Sequence, residues 1–203
     1  MMQIEVGAAG FLFGLLLWSI AVRAARAREL RIGRTPYGWL ACASVLAVLI
    51  PREQSPTGIG LIVCTSTGVL VCALTDARTG YIFDPVVITF AVAVLLLATA
   101  SGGLVMALSG ALATGALLGA LYALTRGRGI GLGDVKLSTV LGLGLMLPYG
   151  AIAIGAAFVF GGGYGAWLLA HGAASRSGSI RFGPFIAAGA AFAISLRATG
   201  FSW

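Results

Sequence analysis

Asp76, Asp84 and Asp134 are the only aspartates in the chain, and each stands in a short polar break at the end of an apolar run. Two carboxylates held a few ångströms apart cannot easily both ionise, so one holds its proton to higher pH and the pair shares a proton. The ionised member can then draw a proton from water while the protonated one polarises a carbonyl. That division of labour suits peptide hydrolysis. Other constellations are missing. The single histidine, His171, stands alone at the end of an apolar segment and reads as an interface residue, so no serine–histidine set exists. Cys42, Cys64 and Cys72 lie inside apolar segments without a C-x-x-C pair, which points to small helix residues rather than a disulfide framework or a zinc site. No metal cluster is present in the sequence, and no cofactor is expected.

The three acids differ in context. Asp84 is followed by Pro85 and an apolar run, an N-cap followed by proline at the first helical position, and it reads as structural. Asp134 lies in the basic, glycine-rich loop Arg126-Gly127-Arg128-Gly129-Ile130-Gly131-Leu132-Gly133-Asp134-Val135-Lys136. It too precedes a helix and could cap it, but Gly131 and Gly133 form a supporting loop that lets backbone approach the carboxylate. The apolar run behind it, residues 135–147, reaches only about 20 Å against a hydrocarbon core of roughly 30 Å. A short helix that must reach the far side can start below the membrane surface, which puts Asp134 in a partly dehydrated recess. Asp76 closes an apolar segment, where the partial negative charge of a helix C-terminus disfavours an acid. It is either a loop aspartate paired with Arg78 or a functional group, and function is the preferred reading, since acids held at membranes are functional candidates by default. Arg78 and Lys136 flank the acids. They are candidates for holding an acidic residue of a substrate or tuning the pair, and equally for simply marking one side of the membrane.

The elements that must position these acids follow from composition. Of 203 residues, 59% are hydrophobic and 9% charged, against roughly 25% charged in a soluble domain. The expected class is an all-α, polytopic transmembrane helix bundle of about eight helices, residues 1–203 forming one membrane-embedded domain with no soluble domain. The apolar segments are residues 4–22, 37–50, 58–75, 85–100, 103–125, 135–147, 150–170 and 184–196, with Pro148-Tyr149-Gly150 dividing an apolar stretch too long for one span. The basic residues Arg23, Arg26 and Arg28 follow the first run instead of preceding it, the reverse of a signal peptide, so that run reads as a retained anchor. Gly115 and Gly119 have small-x-x-x-small spacing, and the patch Gly161-Gly162-Gly163-Tyr164-Gly165 reads as close helix packing without chemistry.

With the N-terminus outside, 11 of the 13 lysines and arginines fall in the inner breaks, leaving Arg52 and Arg197 outside. This asymmetry predicts an N-out, C-out topology. It puts Asp76, Asp84 and Asp134 together on the cytoplasmic side. It also accounts for the net charge of +7 as a topology signal, so no nucleic-acid partner is expected.

Gly131-Leu132-Gly133-Asp134 followed by Val135-Lys136-Leu137 resembles the G-x-G-D element of the type IV prepilin peptidases, bacterial G-x-G-D aspartic membrane proteases. Asp76-Ala77-Arg78-Thr79-Gly80-Tyr81-Ile82-Phe83-Asp84 resembles that family's first aspartate motif, with Phe83 where proline is expected and a proline at Pro85 instead. Phe182-Gly183-Pro184-Phe185 resembles its P-F-G-P-F element, with Arg181 where proline is commoner. The resemblance covers about residues 58–189. It implies that Asp76 and Asp134 are the catalytic pair, and that the substrate is a pilin-like precursor whose basic leader is cut off at the cytoplasmic face of the bacterial inner membrane. Bifunctional members insert a cytoplasmic domain with two C-x-x-C pairs after their first helix. Here that loop is about residues 23–36 without cysteine, which implies a short, peptidase-only form lacking N-methyltransferase activity.

Two other readings use the same acids. A proton-coupled transporter would relay protons through Asp76 and Asp134, but internal repeats are lacking and both acids lie at one edge. A presenilin-like or signal-peptide-peptidase-like protease shares G-x-G-D, but the chain has Thr75-Asp76 in place of Tyr-Asp and no Pro-Ala-Leu element.

Overall fold

The computed structural model describes residues 2–30, 32, 55–172 and 181–199. Within them lie seven helices and no strand: α1 (Met2–Arg26), α2 (Pro56–Thr79), α3 (Asp84–Ala100), α4 (Leu104–Thr125), α5 (Leu132–Leu145), α6 (Tyr149–Ala170) and α7 (Gly183–Ala198). The chain is an all-α helical membrane bundle. The expected segment 37–50 lies outside the described residues, as do Arg31, Arg34, Cys42, Arg52 and Arg176. Four helices are long and apolar enough to cross a membrane: α1 from Ala8, α2, α4 and α6. α3 and α7 are apolar but shorter.

α2 is the central helix, packed against α1, α3, α5 and α7. Its sequence suits that place because small residues let neighbours approach and most of its hydroxyls find a carbonyl within the helix, buried Thr67 being an exception. Gly68 makes room for the Phe90 ring of α3, which a Cβ there would strike. The hydroxyls of buried Thr65 and Thr75 donate back to the carbonyls of Leu61 and Cys72 at 2.7 and 2.8 Å, so neither is stranded in the apolar interior. The helix begins with Ser55, whose hydroxyl accepts the Gly58 N–H at 3.1 Å, followed by Pro56. It ends at Gly80, whose φ of +73° permits the left-handed cap and whose N–H donates to the Asp76 carbonyl at 2.8 Å.

α4 and α5 form the closest helix pair. Backbone meets backbone at Gly110 and Gly142, and the Thr114 hydroxyl bridges to the Ser138 carbonyl at 2.8 Å. Gly115 receives Thr139 of α5, as its small-residue spacing predicts. The Gly161–Gly165 patch differs from expectation. Gly161 packs on Phe182 and Phe185, but Gly162 and Gly163 have nothing within 4 Å, because that face of α6 turns outward from the bundle. Cys64 and Cys72 are buried free thiols in α2. His171 sits at the end of α6, its ring 4.7 Å from that of Trp167.

From α2 onward the helices alternate in direction, so the end of α2 and the starts of α3, α5 and α7 share one end of the bundle, where α1 also ends. Arg28 covers Tyr81 and Phe83 there, at 5.6 and 5.8 Å from their ring centres. At the opposite end Arg197 covers Tyr149 at 5.6 Å.

Candidate active site

Asp76 lies in the last full turn of α2, inside the helix rather than in the loop after it, and is 7% exposed. Its Oδ2 accepts the backbone N–H of Gly183, 107 residues further on, at 3.0 Å. Gly183 is the first residue of α7, so the acid meets the exposed donors and positive end of a helix dipole. That arrangement offsets the poor electrostatics of an acid near the C-terminus of its own helix. The other reading of Asp76, a loop aspartate paired with Arg78, differs from what the structure has, since Asp76 is helical. Arg78 donates to the Ile32 carbonyl at 3.1 Å and lies over the Trp18 ring at 5.1 Å, tying α2 to α1 and the chain after it.

The approach of α7 requires glycine. A Cβ on Gly183 would stand 2.7 Å from Asp76 Oδ2 and 3.0 Å from its Cβ. Two residues earlier, the Arg181 guanidinium donates to the Ala77 carbonyl, lies beside Gly80, and is close enough for its charge to act on Asp76. The Phe182-Gly183-Pro184-Phe185 motif marks this region in the sequence. What it does not reveal is that the motif's backbone and the arginine before it close over the first aspartate.

Asp134 is the third residue of α5, not its N-cap. Gly131 holds the cap position, with φ −81° and ψ 152°, and its N–H donates to Asp134 Oδ2 at 3.2 Å. The acid thus folds back onto the start of its own helix, as the second half of a capping box does. Gly133 presses on Ile82, where a Cβ would stand 3.1 Å from the side chain. Both glycines of the loop therefore have a geometric role: Gly131 sits under the carboxylate, and Gly133 lets α5 dock on the turn that follows Asp76. Asp134 stands ahead of the apolar part of α5, which is not among the helices long enough to cross. Burial pushes its carboxyl up from an ordinary 3.8 to about 6. The Gly131 N–H opposes the rise, and the negative charge of Asp76 adds to it. Asp134 is half-buried at the end of the bundle that also holds Asp76.

Asp84 is also displaced by one position from its expected role. Extended Phe83 takes the N-cap place without a side-chain bond, Asp84 begins α3, and Pro85 follows. Instead of capping, its carboxylate pairs with Lys136 at 2.7 Å. This pair joins the first turn of α3 to α5, so Lys136 is engaged within the protein. Among the described residues no cluster of three His, Cys, Asp or Glu could hold a metal ion.

Both Asp76 and Asp134 thus have one oxygen anchored by a backbone N–H at the start of a helix, at the same end of the bundle. A family model described as the type IV leader peptidase family matches residues 63–166, just over half the chain, including both acids, Asp84 and the glycine-rich loop. No curated protein and no solved structure matches the chain. With the matched stretch holding both anchored acids in a helical membrane bundle, this chain belongs to the type IV leader peptidase family and is a peptidase of that kind.

Proposed function

We propose that the protein is an aspartic endopeptidase in which Asp76 and Asp134 form the catalytic dyad. Its substrate is a type IV pilin-like precursor, cut between a cytoplasmic leader and an apolar helix at the inner membrane of a bacterium. The observation that carries this reading is geometric: Asp76 at the end of α2 and Asp134 at the start of α5 each have one carboxyl oxygen held by a backbone N–H at the same end of the bundle. Backbone donors hold one oxygen of each carboxyl, which leaves the second oxygens to share a proton. The ionised member activates water, and the protonated member donates to the scissile carbonyl, after which their roles reverse as the amine leaves. The pair titrates as a unit, so the proton belongs to neither residue alone. Gly131 and Gly133 act through the fit of the loop. Arg78 and Lys136, each engaged within the bundle, serve in this reading to hold helices rather than to touch substrate. The reaction needs no cofactor, and the lack of C-x-x-C pairs in the sequence accords with a peptidase-only form.

Co-expression of a type IV pilin precursor with the unaltered protein, Asp76→Asn, Asp134→Asn and Asp84→Asn tests this reading. Leader removal is expected to be lost in the first two variants and kept in the third, since an exposed ion pair contributes only about 0.2–1 kcal/mol. Full processing by Asp134→Asn would overturn the dyad.

A further inference from the structure

The clasp between the end of α2 and the start of α7 assigns a role to a residue that the dyad alone does not require. We infer that Arg181 is a positioning residue: by holding the Ala77 carbonyl from the chain segment that leads into Gly183, it fixes Asp76 against the Gly183 N–H and sets the charge around it. This inference rests on the proposed dyad and goes one step beyond it.

Three features support the role. The last carbonyls of a helix lack intrahelical donors, and the Arg181 guanidinium satisfies that of Ala77, the residue directly after Asp76. The same side chain lies beside the position a Cβ would take on Gly80, the left-handed cap of α2. Arg181 is separated from Gly183 by Phe182 alone, and Phe182 is wedged against Phe158 of α6 and Phe185 of α7, with ring centres 5.1 and 6.5 Å away. A donor placed so near in the chain cannot shift without moving the N–H that orients Asp76.

The remaining groups around Asp76 leave this role to Arg181. On α2, Arg78 turns to Ile32 and Trp18, and Cys72 lies one turn below as a buried thiol. From α5 comes Asp134, a like charge. At the start of α3, Asp84 is matched by Lys136, and Arg28 covers the Tyr81 and Phe83 rings.

The test measures cleavage by detergent-purified unaltered protein, Arg181→Met and Arg181→Lys, using a pilin precursor that the unaltered protein cuts, across pH 5 to 9. Arg181→Met is expected to lower kcat by about 10- to 100-fold with KM nearly unchanged, because a small misplacement of a reacting group is costly. The ascending limb of its pH–rate profile should move up by roughly one unit, since a neighbouring positive charge that favoured a carboxylate has gone. Arg181→Lys, which keeps the charge and a donor, should restore the profile and most of kcat. An unchanged kcat and pH profile in Arg181→Met would overturn the inference, as would a change confined to KM, which marks a substrate contact. Asp76→Asn is measured alongside. Cleavage by that variant sinks the dyad itself, whereas an inactive Asp76→Asn beside a fully normal Arg181→Met sinks only the role of Arg181.

Discussion

At the scale of single residues, the backbone N–H of Gly183 shows how a glycine can serve an acid it never neighbours in sequence. A methyl group on Gly183 would collide with Asp76 itself, and α7 cannot retreat without giving up the hydrogen bond. Gly183→Ala is therefore expected to reduce leader cleavage by about 10- to 100-fold while the protein still inserts and purifies normally. Precursor processing rates normalised to membrane-extracted protein would check this, and a rate within twofold of normal would contradict it. Asp134 bears on stability with a definite sign. Its folded carboxyl holds a proton up to about 6, above its ordinary 3.8. Between those values the unfolded chain releases a proton that the folded one keeps, so the native state loses stability as pH rises and stays at the lower level above about 6. Asp134→Asn removes this penalty. It should be inactive yet more stable at pH 8 by on the order of 1–2 kcal/mol, after discounting for partial exposure, and no more stable at pH 3.5. Thermal midpoints of the two proteins at both pH values provide the measurement.

At the scale of elements, the placement of Asp134 depends on how α5 is wedged between its neighbours. On one side α5 meets α4 with almost no side chain between them, at Gly110 and Gly142. On the other, Gly133 rests on Ile82, and Lys136 reaches Asp84. A Cβ on Gly142 would meet the Gly110 carbonyl and the Thr114 hydroxyl, neither of which can give way cheaply. Gly142→Ala should therefore destabilise the bundle by about 1–3 kcal/mol, the usual cost of overpacking. Because the displaced helix carries Asp134, cleavage should fall with it. A lowered thermal midpoint with unchanged cleavage per folded molecule would show that the wedge does not position the acid. The ion pair at the other edge is exposed, about half of each side chain facing out. Breaking it is expected to be mild, which is why Asp84→Asn serves as the active control.

At the scale of the whole molecule, the bundle has two unlike ends. One gathers Arg28, Arg78, Arg181 and Lys136 around the acids, and the other carries Arg197 over Tyr149. By the positive-inside rule the acid-bearing end is expected to face the cytoplasm. In a variant with Cys42, Cys64 and Cys72 replaced, a cysteine at Arg128 should react with a membrane-impermeant maleimide only after cells are opened. One at Ser195, near the other end of α7, should react in intact cells. The reverse pattern would invert the topology and put the acids on the wrong face for a cytoplasmic leader.

Much of this protein was legible in its residues taken alone. Hydropathy and the Pro, Gly and Arg breaks are local signals, so the membrane class, the helix positions and the shared side of the three aspartates followed from reading along the chain. The G-x-G-D loop and the first aspartate motif identified which acids to watch, since such motifs are contiguous. Partner choice is not local. Asp76 read as a functional acid with Arg78 as its one nearby alternative partner, yet nothing local shows that it is held from 107 residues away by the start of α7. Asp84 looked like a cap but answers to Lys136. The glycines at 162 and 163 looked like packing surface but face outward, because glycine spacing permits close approach without saying whether a neighbour arrives. Sequence determined what each helix could bury and which residues could do chemistry. Only the tertiary structure decided which helix ends meet, and with that, which backbone donors and which cation surround the two acids.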